Sequence, residues 1–545
     1  MDVHVFPVSS QTAGARLSGT VDCVEDRVCF RRCKSNSLVC IRAQSAVQYP
    51  LRTSCERMLP TERFSQMVQL HLGLTDDNDN TKWIIAESPL GGRGLFATKD
   101  ISSGEVLFVD HPLIYGPRSG AIVQRGCTVC YTLKSDKFYK CQKCSLLLCS
   151  ESCQNNSAHY NDCKIISGWR NKVPIEDVDD ALLSRALTAI RALLLSDDQK
   201  QFMTSLQAHM LPQHGTEIKD LHQYFEIPPQ DEQFMILASY VLDANAFQIA
   251  TPYGKKEMGK RGLYPVSSLM NHNCVPNTRY NYNEDLQMIV KAVKGIPRGS
   301  EIFTCYTGLM WGTPARRIHL HKTKHFLCKC ERCADPTERG TLLAALKCFA
   351  AECPGSLLPI EPLKSSSAWR CLDCGLRVPC ENICTLQSAL GSLMGSLDFE
   401  NLFYWSLLTW APRQGTPDRT SSPDGSACPY QLSESRLALK ENLCRGILRT
   451  VAALGAGDAH LRALMLYHLH AALAERARRS PDLYDELRSE IESTIDQAYN
   501  ILQGDISAPA DLELRHQYLG PGCNKSHEER FFILDTSDNN IDLRT

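Results

Sequence analysis

Eight metal-binding side chains stand in order between Cys127 and Cys163, and they constrain this chain more than any other feature. The run is Cys127-x2-Cys130, Cys141-x2-Cys144, Cys149-x3-Cys153 and His159-x3-Cys163. A Cys-x2-Cys turn lets two thiolates share one tetrahedral ion, and the two later pairs sit at the i, i+4 spacing that a helix places on one face. Eight ligands fill two closed zinc sites with none left over. Closed sites are structural, so this segment folds around metal instead of catalysing with it. Scattered core cysteines would have no reason to repeat ligand spacings.

That order of ligands resembles a MYND finger. The resemblance implies interleaved sites, with Cys127, Cys130, Cys149 and Cys153 on one ion and Cys141, Cys144, His159 and Cys163 on the other. It also implies that the finger binds a proline-containing peptide of a partner protein.

The 545 residues are enough for several domains, and 43% apolar and 22% charged residues are ordinary for a globular protein. A net charge of -2 gives no general pull towards nucleic acid, so direct nucleic-acid binding is not supported. Of 26 cysteines, seven belong to the finger and eight more fall at metal-ligand spacings. Thiolate–zinc chemistry needs reduced thiols, which points to cytoplasm and nucleus. No apolar run approaches the length of a membrane span, and Met1–Ser10 has neither the basic nor the apolar part of a secretory signal.

The chain around the finger changes character several times. Residues 1–82 mix Arg, Cys and polar residues without period and read as a disordered extension, with one short helix near Thr61–Leu72. Trp83–Ala86 and Val106–Val109 read as strands around the turn Gly91-Gly92-Arg93-Gly94. Asp177–Leu195, Gln199–Met210 and Asp231–Asn245 carry helical spacing; Leu286–Val293 and Glu301–Cys305 return to strand. Ser433–Leu454, Asp458–Arg478 and Ser480–Leu502 read as stacked, TPR-like helices after a Ser/Pro/Gly-rich linker at Gly415–Pro429, and the chain from Pro509 reads as a loose tail.

A second constellation spans the finger. It consists of the Gly91–Gly94 turn, then Asn271-His272-Asn273-Cys274, then Glu301–Tyr306, then Cys328-x-Cys330-x2-Cys333. Three thiolates are one short of a tetrahedral site; Cys274 or Cys348 would complete it. Cys348-x4-Cys353 and Cys371-x2-Cys374 are two separated pairs with a ribbon loop's length between them, and together they would supply the ligands of a fourth site.

This order, with the finger inserted, resembles the SMYD family of SET-domain lysine methyltransferases over roughly residues 83–380. The resemblance implies an α+β chain with a SET β-fold, an inserted MYND zinc finger, a cysteine-rich post-SET zinc region and a C-terminal all-helical, TPR-like domain. In residue terms these are an extension at 1–82, a SET N-lobe at 83–126, the finger at 127–163, a helical insert at 164–260, the SET core at 261–325, the post-SET region at 326–380, the helical domain at 381–510 and a tail at 511–545. It implies S-adenosyl-L-methionine as cofactor and a protein lysine, on chromatin or elsewhere, as substrate. Gly92, Arg93, Asn245, Asn271, His272, Tyr306 and Phe326 would line the cofactor, with Tyr306 catalytic. Three zinc ions are expected, or four if the Cys348–Cys374 group closes.

Two positions depart from the family pattern, in the manner of divergent arthropod members. Lys324 stands where active relatives carry a second tyrosine, and Gly91 replaces a basic residue. A lysine cation beside a sulfonium and an incoming lysine repels both unless it points away; His325 is adjacent and is the alternative group. A competing reading follows from these departures: a weak or silent zinc-dependent adaptor or transcriptional corepressor, binding partners through its finger and helical domain.

Overall fold

The computed structural model describes residues 59–74, 81–118, 124–135, 137–211, 214–387 and 433–536, with two short strands at Cys29–Phe30 and Cys40–Arg42. Most of the 1–82 extension and the expected Gly415–Pro429 linker lie outside them.

Three small sheets make the first half of the fold. The first orders its strands Asn271–His272, Glu301–Thr304, Arg93–Ala97 and Trp83–Glu87. The second joins Thr278–Tyr282, Met288–Ala292 and Val106–Asp110, and the third Phe247–Ile249, Lys260–Leu263 and Ile114–Pro117. Each is too short to bury a core alone, so all three share one with the helices Asp180–Arg191 and Pro229–Asn245. Met288, Val290 and Ala292 alternate inwards along their strand, as a half-buried pleat requires. Asp179 caps the Asp180–Arg191 helix by accepting from the amides of Ala181 and Leu182 at 2.9 and 3.2 Å.

The finger is anchored to this core by one guanidinium. Arg191 donates to both carboxylate oxygens of Asp162, at 3.0 Å from Nε and 2.7 Å from Nη2. Its other nitrogen reaches the Tyr115 carbonyl at 2.9 Å and the Tyr131 hydroxyl at 2.7 Å. Asp162 adjoins Cys163 of the finger and Tyr115 lies in the Ile114–Pro117 strand, so one buried bidentate pair joins the two units.

Two expectations need correction. The Thr61–Leu72 helix belongs to the folded body: Phe64 and Val68 are fully buried against it, and His71 Nε2 lies 3.1 Å from the buried Asp110 carboxylate. The supposed tail holds two helices, Leu512–Leu519 and His527–Thr536. Leu512, Arg515 and Leu519 face inwards at helical spacing, and the charge at the middle position hid the stripe. Arg515 is accommodated by Asp511 at 2.6 Å and by the Tyr467 ring at 5.8 Å. With Glu434–Leu454, His460–Arg479 and Tyr484–Leu502, these helices pack in chain order.

Burial holds His468 and His470 of this bundle neutral, each pushed down to about 3. His470 Nδ1 donates to the Ile491 carbonyl at 3.1 Å, while its Nε2 is buried without a partner. The unfolded chain takes up protons near pH 6.5 that the folded one refuses, so their stabilisation is complete above pH 6.5 and declines as pH falls below it. At pH 5 each such histidine costs about 2 kcal/mol. His470→Leu should therefore shrink the drop in urea midpoint between pH 7 and pH 5, followed by circular dichroism. An unchanged drop would mean that His470 does not titrate on unfolding.

Candidate active site and metal centres

Four groups of four ligand atoms converge, each with its members within 4.8 Å of one another: Cys127, Cys130, Cys149 and Cys153; Cys141, Cys144, His159 and Cys163; Cys274, Cys328, Cys330 and Cys333; and Cys348, Cys353, Cys371 and Cys374. A tetrahedral zinc with Zn–S of about 2.3 Å sets its sulfurs about 3.8 Å apart. The separations fit: 3.5 Å for Cys130–Cys149, 4.0 Å for Cys141–Cys163, and 3.8 and 3.5 Å from Cys274 to Cys328 and Cys333. All these cysteines are free thiols. In the finger, His159 Nδ1 donates to the Gln154 carbonyl at 2.7 Å, which fixes the tautomer and leaves Nε2, 3.5 Å from Cys144 Sγ, as the metal-facing nitrogen. Cys274, not Cys348, completes the Cys328–Cys333 set.

Sequence reading missed the groups behind that third site. Arg316 is fully buried; its Nε donates to Cys274 Sγ at 3.1 Å and its Nη2 lies 3.5 Å from Cys333 Sγ. Glu338 pairs with Arg316 at 2.6 Å and with Arg332 at 3.1 Å, and Arg332 also reaches the Cys274 carbonyl at 3.2 Å. Burial opposes the Arg316 charge, yet the Cys274 thiolate and Glu338 outweigh it and hold the guanidinium protonated. The only signal in the chain was an unusual Arg316-Arg317 pair in a short helix; nothing local marks Glu338.

The segment that ends in Cys274 also carries Asn271 and His272, which form a strand. Asn271 and His272 pair in parallel with Phe303 and Thr304, which brings Tyr306 beside them. Asn271 Nδ2 donates to Glu301 Oε1 at 2.7 Å and to the Arg93 carbonyl at 3.2 Å; Ser88 donates to the other Glu301 oxygen at 3.0 Å. Gly94 must be glycine here, because an added Cβ would lie 2.5 Å from Glu301 Oε1 and 3.1 Å from Asn271 Nδ2. Gly91 and Gly92 take positive φ of 97° and 71°, with open space in front of both.

His272 is neutral, since burial pushes it down to about 4. Its Nδ1 accepts from the Tyr306 amide at 2.9 Å, so the proton sits on Nε2 and points at Cys274 Sγ, 3.2 Å away. Both ring nitrogens are thus committed inside the protein, and any cofactor contact there falls to the backbone. The Tyr306 ring lies 5.2 Å from that of His272, and its hydroxyl donates to the Met270 carbonyl at 2.7 Å. Burial pushes the phenol well above its ordinary value, so it stays protonated. Phe326 stands 6.0 Å from the His272 ring and keeps part of its surface exposed.

Two expected residues are turned elsewhere. The Arg93 guanidinium lies over the Phe64 ring at 4.1 Å and donates to the Leu59 and Ser205 carbonyls, so it holds the Thr61–Leu72 helix and only its backbone faces Asn271. The Asn245 amide donates to the Gln207 and Val241 carbonyls. Lys324, the last residue of the Thr313–Lys324 helix, donates to the Ala244 carbonyl at 2.7 Å and stands 5.7 Å from the Tyr306 ring. Burial pushes its ammonium down to about 8. The His325 ring packs on His209 at 4.8 Å and His214 at 6.0 Å.

The SET domain family matches residues 92–307, which defines the class of protein. The chain is 35% identical over 325 residues to the Drosophila melanogaster SET domain-containing protein SmydA-8, isoform B, covering 58% of this chain and 71% of that protein. It is 28% identical over 302 residues to the mouse histone-lysine N-methyltransferase SMYD3, covering 51% of this chain and 67% of that protein. Among solved structures, the SET domain of LSMT bound to lysine and AdoHcy aligns over 89% of this chain and 96% of that one, with 13% identity and a TM-score of 0.29, too loose to carry an argument. The chain belongs to the SMYD family of SET-domain proteins, with an arthropod-like relative among its matches.

Arg316→Leu should loosen one zinc ion selectively. Removing a group hydrogen-bonded to metal ligands typically costs roughly 10- to 100-fold in affinity, and here it also takes away one of the two guanidinium partners of Glu338. Competition with a chelator should release one ion early from this variant and none early from wild type; identical release curves would show that Arg316 does not support the Cys274 site.

Proposed function

We propose that the chain is an S-adenosyl-L-methionine-dependent protein-lysine N-methyltransferase acting on a histone or another protein. The observation that carries this reading is the parallel register of Asn271–His272 with Phe303–Thr304, which sets Tyr306 beside His272 and next to an open glycine turn. The residues present fit the cofactor: the Gly91–Gly92 backbone, the Asn271 side-chain oxygen, the His272 backbone and the exposed face of Phe326 would hold it. When bound, it supplies an electrophilic methyl on a sulfonium.

Tyr306 does the positioning. Its hydroxyl is fixed by the Met270 carbonyl and stays neutral, so its lone pairs remain to accept from a lysine amine. In-line transfer depends on such placement more than on acid–base strength. An apolar surround strips water from the amine and lowers the cost of losing its proton. Lys324 donates to the Ala244 carbonyl at the C-terminal end of the Pro229–Asn245 helix, which stabilises its positive charge, while its ammonium stays 5.7 Å from the Tyr306 ring.

The finger supports binding of a proline-containing peptide from a partner, and its thiolates are suited to the reducing cytoplasm and nucleus. No helix among the described residues is long and apolar enough to cross a membrane.

Calorimetric titration with S-adenosyl-L-methionine should give saturable binding to the zinc-loaded protein. Tyr306→Phe should lose most turnover in a radiolabelled-methyl assay on histone and cell-extract substrates while keeping cofactor affinity. Equal turnover would remove Tyr306 from the catalytic role. Bound cofactor without methylation by any variant would favour the adaptor reading. Lys324→Tyr should raise activity on a lysine peptide; a fall would show that Lys324 does not limit the wild type.

A further inference from the structure

The fourth thiol group lies outside the SET and finger machinery, between residues 346 and 378. Four short strands form an antiparallel sheet there: Leu346–Lys347, Ser356–Pro359, Trp369–Cys371 and Arg377–Val378. Cys348 follows the first strand, Cys371 ends the third, and Cys353 and Cys374 lie on the loops between strands. Their sulfurs meet at 3.6 Å for Cys348–Cys374 and 3.8 Å for Cys353–Cys371. Disulfides need about 2.05 Å, whereas a tetrahedral zinc needs sulfurs about 3.8 Å apart.

The backbone supplies an independent argument. In the finger, the first cysteine of each Cys-x2-Cys turn donates its amide to the carbonyl five residues on, Cys127 to Thr132 and Cys141 to Leu146, at 3.1 and 3.0 Å. The residue after the second cysteine is left-handed, with φ of 61° at Tyr131 and 62° at Ser145. The third turn repeats both features: Cys371 donates to Leu376 at 2.8 Å, and Gly375 has φ of 74°. The opposite loop is folded for the same purpose. Cys348 donates to the Gly355 carbonyl at 2.8 Å, and the Ala350 amide points at Cys348 Sγ from 3.5 Å. The loops interlock so closely that a Cβ on Gly355 would lie 2.7 Å from Cys371 Sγ.

The apolar content cannot explain this geometry. Beneath the sheet sit Leu357, Trp369, Val378 and Ile383, a cluster too small to hold a module of this size by burial alone. Cys374 is exposed and Cys353 partly so, which is no place for apolar thiols to gather without a ligand.

We propose that Cys348, Cys353, Cys371 and Cys374 bind a fourth, structural zinc ion that closes this ribbon independently of the finger and post-SET sites.

The test is the zinc content of the full-length protein by plasma mass spectrometry, with native mass spectrometry for stoichiometry. Wild type should carry four ions per chain, and the double variant Cys371→Ser/Cys374→Ser three, with cofactor binding unchanged. Three ions in wild type, or four retained in the double variant, would overturn the proposal. Alkylation of native wild type, mapped by peptide mass, decides the matter even if the variant misfolds. Cys374 should resist iodoacetamide until a chelator is added and then react together with Cys348, Cys353 and Cys371. Rapid alkylation of exposed Cys374 without chelator would overturn the assignment.

Discussion

The Cys274 thiolate is the interaction on which the catalytic half depends. It ends the segment that carries Asn271 and His272, and its metal partners lie more than fifty residues downstream at Cys328, Cys330 and Cys333. Closing that tetrahedron fixes Phe326, two residues before Cys328, against the His272 ring at 6.0 Å. The His272 proton points at the same sulfur, and the other ring nitrogen holds the Tyr306 amide. A structural metal and the arrangement around His272 are therefore one construction: the ion sets no chemistry itself, but it determines where the Phe326 ring and the Tyr306 phenol stand. The site's electrostatics follow from the same choice. Four thiolates on a divalent ion leave negative charge in the interior, and buried Arg316 and Arg332 meet it, with Glu338 between them.

What could be read from the chain was whatever is local. Ligand spacings, the Asn271–Cys274 motif and the helical stripes of residues 434–502 depend on a few neighbours, so the sequence shows them directly. The interactions that missed notice are made across long separations. Arg93 is a cofactor residue by the resemblance, yet its side chain is claimed by Phe64 of the Thr61–Leu72 helix and by the Leu59 carbonyl just before it, in a segment that composition alone presented as part of a disordered extension. Glu301 looked like an ordinary strand residue; its role as the clamp between Asn271 and Ser88 needs three segments brought together. The Leu512–Leu519 helix escaped for a related reason, since a buried arginine at a stripe position is unreadable until Asp511 and Tyr467 are seen beside it.

Lys324 illustrates how a departure from a family pattern is judged by its surroundings. As a sequence letter it puts a cation where the resemblance implies a phenol. In the fold it is the final residue of a helix, followed by His325 in left-handed conformation, φ of 61°, a turn that sends Phe326 back towards the cleft. The side chain runs to the end of the Pro229–Asn245 helix, where backbone carbonyls lack intrahelical partners and carry the negative end of the helix dipole. Burial weakens the ammonium, and the charge of Asp243 opposes that. The balance is an amine that titrates about 8, within a pH unit or so of the cell's, instead of a fixed charge.

That balance bears on substrate more than on cofactor. A phenol at this position would offer an acceptor to the incoming lysine, whereas a protonated Lys324 offers only donors. The accepting atoms left near the reacting amine are then the Tyr306 oxygen and main-chain carbonyls, and the Met270 carbonyl is already engaged by Tyr306. An entering lysine must arrive already stripped of its proton, because a second ammonium beside Lys324 would be repelled in a poorly solvated channel. Deprotonation of the entering lysine makes turnover in such a site rise with pH in any case; the loss of charge on Lys324 adds a second ionisation to that rise, which a pair of tyrosines would not add.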